Sequence, residues 1–167
     1  MDLLDLLLGH DRWTTGRLLD LSRGLDDARL DKEFDVGHRT LRATFGHMVS
    51  GVEFWTAMMA GQPVEMRRDD DRSLAALIEG HERSYAAFAG EARRLSDERR
   101  LDDAFVHPRT GRETFGATLV HVVLHNGQHR GEALHILERL GVPDLPEADP
   151  QEWERETRGG EPGGGRT

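Results

Sequence analysis

From Phe115 to Leu140 the chain reads FGATLVHVVLHNGQHRGEALHILERL, a run without proline in which apolar residues return every three or four positions. A segment of that period is too long for a strand and too often interrupted by polar residues for a membrane span. It reads as a long amphipathic helix that must bury one face against other helices. Thr114 supplies its N-cap, and Gly141 followed by Pro143 its stop. Three further stretches carry the same signature. Leu3, Leu4, Leu7, Leu8, Trp13, Leu18, Leu19 and Leu21 mark a helix over residues 2–23 that ends at Gly24. Thr40 caps LRATFGHMVSGVEFWTAMMA, closed by Gly61 and Pro63, and Ser73 caps a third helix with Leu74, Leu77, Ile78, Tyr85, Phe88 and Leu95 on its apolar face. No strand patterning or internal repeat accompanies them. The chain is therefore expected to be all-α, a four-helix bundle whose two longer connections leave the topology open.

The 167 residues suit one domain, expected over residues 1–155, followed by a flexible Gly-rich tail over 156–167 that ends in GGEPGGGRT. Leu145 and Trp153 are the residues placed to pack back onto the bundle. A formal charge of −9 argues against nucleic acid and anionic membrane as partners, since both are bound by clustered Lys and Arg. The absence of cysteine excludes disulfides, thiolate metal sites and cysteine nucleophiles, so any metal must be held by nitrogen and oxygen. The opening MDLLDLLLGHDRW has the wrong charge and apolar length for a secretion signal, and no segment reaches the roughly 20 apolar residues of a membrane span. A cytoplasmic protein acting on a small molecule is the expectation.

Chemistry is concentrated in the histidines, of which there are nine. In the fourth helix His121, His125, His129 and His135 recur at short spacing, and residues four apart lie one turn apart on one face, where two imidazoles can meet one ion. At about 100° per residue, Phe115, Leu119, Val122, Asn126, Ala133, Leu137 and Leu140 form one stripe, with His129 nearest its centre, His125 next and His121 furthest. A third ligand is sought on a facing helix. His47 lies within the apolar run TFGHMVSGVEFW and shares a helical stripe with Gly51, Phe54 and Met58. Alone it would read as a core histidine bonded to a backbone carbonyl; convergence with the pair favours a ligand. His10, His38, His81 and His107 read as exposed or singly bonded residues, and Trp13, Trp55, Met58 and Met59 as core or interface packing.

The helix-two stretch GHMVSGVEFW and the helix-four stretch HNGQHRGEALHILERLG, from His125 to Gly141, resemble the DinB-like proteins, among them the YfiT-like thiol transferases. Those proteins carry the pattern HxxxHRGxxxxxLxxxG. The likeness covers residues 1–155 and includes the PRTG turn ahead of the last helix. It implies a three-histidine site carried onto His47, His125 and His129, holding zinc or nickel with an open position, and a homodimer. It also implies a metal-dependent enzyme that transfers a low-molecular-weight thiol cosubstrate to a small electrophile, with isomerase and hydrolase chemistry as relatives. Neutral imidazoles suit such ions, and three protein ligands with an open position are the pattern of catalytic zinc. The family often has Gln after HRG where this chain has Glu132, a weak candidate for a base or for a partner of a ligand, read first as a solvated carboxylate. Arg130 is read as an ion-pair residue. The competing function is a non-catalytic metal-binding stress-response dimer, which an enclosed coordination sphere without a pocket would favour.

Overall fold

Every long helix starts at a side chain that satisfies an otherwise orphaned backbone donor. In the computed structural model, which describes residues 2–64 and 72–159, Asp2 accepts from Asp5 N–H at 2.9 Å and starts α1 (Leu3–Leu21). A 3₁₀ turn (Ser22–Gly24) and the short α2 (Asp27–Leu30) follow. Thr40 accepts from Ala43 N–H at 3.0 Å to start α3 (Leu41–Met59), and Ser73 accepts from Ala76 N–H at 3.2 Å to start α4 (Leu74–Asp97). Thr114 accepts from Ala117 N–H at 3.3 Å to start α5 (Phe115–Arg139). Each cap satisfies one donor of the first turn and is worth about 1 kcal/mol.

The helix directions follow from contacts along their length. His81 meets the Arg12 carbonyl while Arg93 pairs with Asp5, so α4 runs antiparallel to α1. Val49 lies against Gly80 and Glu53 pairs with Arg83, so α3 and α4 are parallel. His47 meets His125 while Trp55 meets His121, making α5 antiparallel to α3. Leu8 shares a core cluster with Phe115 and Val122, and Leu18 with Ala133 and Leu137, so α1 and α5 are parallel. The order is up, down, down, up, with α5 seated between α1 and α3, and this settles the connectivity that helix lengths alone left open.

Three local features differ from the sequence reading. Residues 104–114, expected as an irregular connection, form an antiparallel hairpin, β1 (Ala104–His107) and β2 (Gly111–Thr114), in which His107 pairs with Gly111. The PRTG turn closes it, with Gly111 at φ +89. His107 is buried and bonded more than once, where an exposed or singly bonded histidine was expected. Its Nδ1 accepts from the N–H groups of Arg109 and Thr110, both at 3.2 Å, and lies 2.8 Å from the Thr110 hydroxyl. Finally, a helix that the sequence reading did not name, α6 (Pro150–Arg158), started by Asp149 with proline in its first turn, carries Trp153, the residue placed to pack back onto the bundle. It buries Trp153 on Gly9, where a Cβ would stand 2.5 Å from the indole. The expected boundary at 155 therefore falls inside α6, and the tail from 160 onward lies outside the described residues.

Two apolar clusters fill the bundle. One joins Leu8, Val52, Tyr85, Phe88, Leu95 and Val122, and the other Leu18, Phe45, Met48, Leu77, Ile136 and Leu137. Between them lies a polar layer. Asp11 is fully buried and pairs with Arg130, and its other oxygen accepts from Asn126 Nδ2 at 2.9 Å. Both charges are desolvated, so removing one partner strands the other. Asp11→Ala is expected to lower the unfolding free energy by about 3–5 kcal/mol in urea titration, whereas the triple change Asp11→Leu, Asn126→Leu and Arg130→Met, which leaves no member of the layer unpaired, recovers most of that loss.

Candidate metal centre

Helical geometry turns one patch of α5 toward two neighbours at once. Asn126 and Arg130 point at α1 through Asp11, and His125 and His129, one residue earlier in each turn, point at α3. His47 rises from α3 to meet them. The Nε2 atoms of His47 and His129 each lie 3.1 Å from Nε2 of His125. The His125 and His129 ring centroids are 4.4 Å apart, and those of His47 and His129 4.7 Å. All three residues named from the sequence are thus brought together.

The donor set fits a cation. His129 Nδ1 lies 2.7 Å from Glu132 Oε2, and an ionised carboxylate only accepts, so Nδ1 carries the proton and Nε2 turns its lone pair into the cluster. His125 Nε2 offers either one proton or one lone pair. Its two close contacts are therefore not both served by ordinary two-centre hydrogen bonds, whereas an ion at their focus would engage all three lone pairs. Nitrogens at about 2.0–2.1 Å from a tetrahedral zinc stand roughly 3.3 Å from one another, near the two 3.1 Å separations from His125.

Glu132 departs from the solvated carboxylate expected of it. Only 15% of its side chain is exposed, and it rests beneath Gly37 of the loop ahead of α3, where a Cβ on that glycine would strike the carboxylate. A carboxylate bonded to the remote nitrogen of a ligating histidine fixes the ring and raises its basicity. Arg130 is an ion-pair residue as read, though a buried one. His121 is exposed with its ring 5.4 Å from that of His125, and His135 is exposed.

His38 is the residue that sequence reasoning passed over. Its ring centroid lies 4.0 Å from that of His47 and 5.1 Å from that of His129. Among the described residues, His38, His47 and His129 form a group whose ligating atoms all lie within 4.8 Å of one another, close enough to hold a metal ion. That set leaves out His125, whose Nε2 lies 3.1 Å from Nε2 of both His47 and His129. The signal that could have revealed His38 is the Gly-His pair just ahead of the Thr40 cap, a turn that folds back toward the helix it precedes.

His47 also borders an open groove of about 1180 Å³, walled by Phe54, Trp55 and Met58 on α3, the hairpin, and His121 on α5. Trp55 stacks on His107 with centroids 5.4 Å apart, so the buried hairpin histidine backs the aromatic wall. The packing role expected for Trp55 and Met58 is thus joined by a place on the groove wall.

A family model described as the DinB superfamily matches residues 10–133. No curated protein matches the chain.

Burial lowers the proton affinity of three of the histidines. His47 is lowered to about 4, first by burial and then by the neighbouring rings of His38, His129 and His125. His125 is lowered by burial and by His129, and His81, beneath the Arg12 carbonyl, by burial. For each the folded value lies below the unfolded one, near 6.5, so the unfolded chain binds the extra proton more readily. The stability they contribute is complete above that value and is lost as pH falls through it toward the folded values. The melting temperature of metal-free protein is expected to fall as pH drops from 7 to about 5, and His47→Gln to make that fall shallower in a calorimetric pH series.

Proposed function

The chain belongs to the DinB superfamily, and we propose that it is a metal-dependent enzyme of that family, holding one zinc or nickel ion with His47, His125 and His129. The observation that carries this reading is the contact of His125 Nε2 with both other Nε2 atoms at 3.1 Å beside an open groove. A structural metal site is enclosed by its ligands; here His47 also forms part of a groove wall, which favours catalysis over a purely structural ion.

Bound there, a divalent ion supplies Lewis acidity that makes a thiol or water nucleophilic near neutral pH. The residues of the chain do the rest. His47 and His125 stay unprotonated as ligands, and Glu132 holds the His129 ring in one orientation. Phe54, Trp55 and Met58 give an apolar bed for a small electrophile and keep water from it. The reaction proposed is transfer of a low-molecular-weight thiol to that electrophile in the cytoplasm, with hydrolysis or isomerisation as the neighbouring chemistries; Glu132, bonded to His129 Nδ1, acts as the partner of a ligand rather than as the base.

The test is elemental analysis of untagged protein beside His129→Ala, followed by thiol-transfer assays on metal-loaded and chelator-stripped enzyme with a fluorogenic electrophile. One equivalent of zinc or nickel, lost in the variant, together with metal-dependent transfer, is the expected result. Absence of metal after reconstitution would sink the three-histidine centre, and bound metal without transfer would return the protein to the non-catalytic stress-response reading.

The homodimer belongs to the same proposal. Leu3 and Leu7 on α1 and Val120 and Leu124 on α5 are exposed on two parallel, adjacent helices, with Val120 at 54% and Leu124 at 68%. Sedimentation velocity is expected to give a dimer that Val120→Glu with Leu124→Glu converts to monomer.

A further inference from the structure

The loop that carries His38 is built at a cost. Phe34 is buried beneath it, and its N–H donates to the Arg39 carbonyl at 2.7 Å. The Arg39 N–H donates to the Val36 carbonyl at 2.8 Å and the Thr40 N–H to the His38 carbonyl at 2.9 Å. This closure sets Gly37 at φ +44 and Arg39 at φ +71, so both neighbours of His38 adopt left-handed backbone. Arg39 bears a Cβ, so its left-handed backbone is strained. A Cβ on Gly37 would displace the Glu132 carboxylate from its place beside His129. The result of this strained, bonded turn is one imidazole set against His47 and His129.

We infer that His38 is a fourth, exchangeable ligand of the metal ion, capping in the resting protein the position that His47, His125 and His129 leave open and yielding it to substrate. The inference rests on the three-histidine reading above and extends it. A ring nitrogen of His38 lies within 4.8 Å of ligating atoms of both His47 and His129, near enough for a small loop adjustment to complete the set. Its separate mobility follows from its place. The other three rings stand on long helices and are buried or half-buried, whereas His38 is exposed on a loop and borders a cleft of about 370 Å³ into which its ring can turn.

The chemical consequence is selectivity. Water competes poorly with an imidazole for zinc or nickel, so the capped centre resists idle hydrolysis. A thiolate, softer and anionic, displaces the imidazole.

Cobalt(II) reports coordination number directly through its visible absorption, independently of activity. Full-length untagged protein, stripped and titrated with cobalt(II), is compared as wild type, His38→Ala, His38→Gln and His129→Ala, with melting curves confirming the fold of each. The wild type is expected to show the intense bands of a four-coordinate ion. His38→Ala is expected still to bind a single equivalent, roughly 10- to 100-fold more weakly and with weaker bands as water enters. Added imidazole restores the wild-type spectrum to that variant, and a thiol changes the wild-type spectrum at saturating concentration. Wild-type affinity and spectrum in both His38 variants would overturn the inference and leave the three-histidine centre standing. A wild type that takes up no cobalt would overturn both.

Discussion

The buried pair of Asp11 and Arg130, joined by Asn126, is the interaction on which the rest of the site depends. An apolar helix face tolerates small rotations and slides, because one methyl group replaces another at little cost. A buried carboxylate does not, since its hydrogen bonds must be met at fixed positions. By tying Asn126 and Arg130 to α1, the pair sets the rotation and height of α5, and with them the direction in which His125 and His129 face. The apolar clusters above and below supply the bulk of the burial; this thin layer supplies the register.

Much of this was legible in the sequence because it is local. Thr40, Ser73 and Thr114 precede apolar periodicity, and each is a cap in the structure. The helix-four histidines follow from spacing alone, and His129 ranked first by phase and is the most buried of the ring cluster. What stayed hidden is non-local. Asp11 reads as a surface acid on α1 until Arg130 is placed opposite it. Glu132 reads as solvated until the loop at Gly37 closes over it. His38 precedes a helix cap in a charged connector, and only backbone geometry brings it to the cluster. The hairpin escaped notice because its strands, four residues each, are too short to establish an alternating pattern.

Electrostatics and packing act together at the centre. The protein is acidic overall, yet the carboxylate nearest the imidazoles is committed to one of them through a 2.7 Å contact. Glu132 is held in its ionised form against the cost of its burial, because its hydrogen bond to His129 and the nearby rings outweigh that cost. Glutamate in place of the glutamine frequent in the family brings a full negative charge to the ring. It strengthens His129 as a donor to a cation more than a neutral amide does.

His47 and His125 are separated by 78 positions along the chain and sit on helices that are not consecutive. A contact of that span closes a loop that contains α4 and the hairpin, so its closure entropy must be offset by the apolar clusters and the imidazole cluster exists only where the helices are correctly seated. Partly collapsed chains with correct helices but an unseated α5 have no such cluster. An ion bound by these rings, as proposed above, would discriminate the finished topology from its near neighbours and draw the chain toward it by mass action.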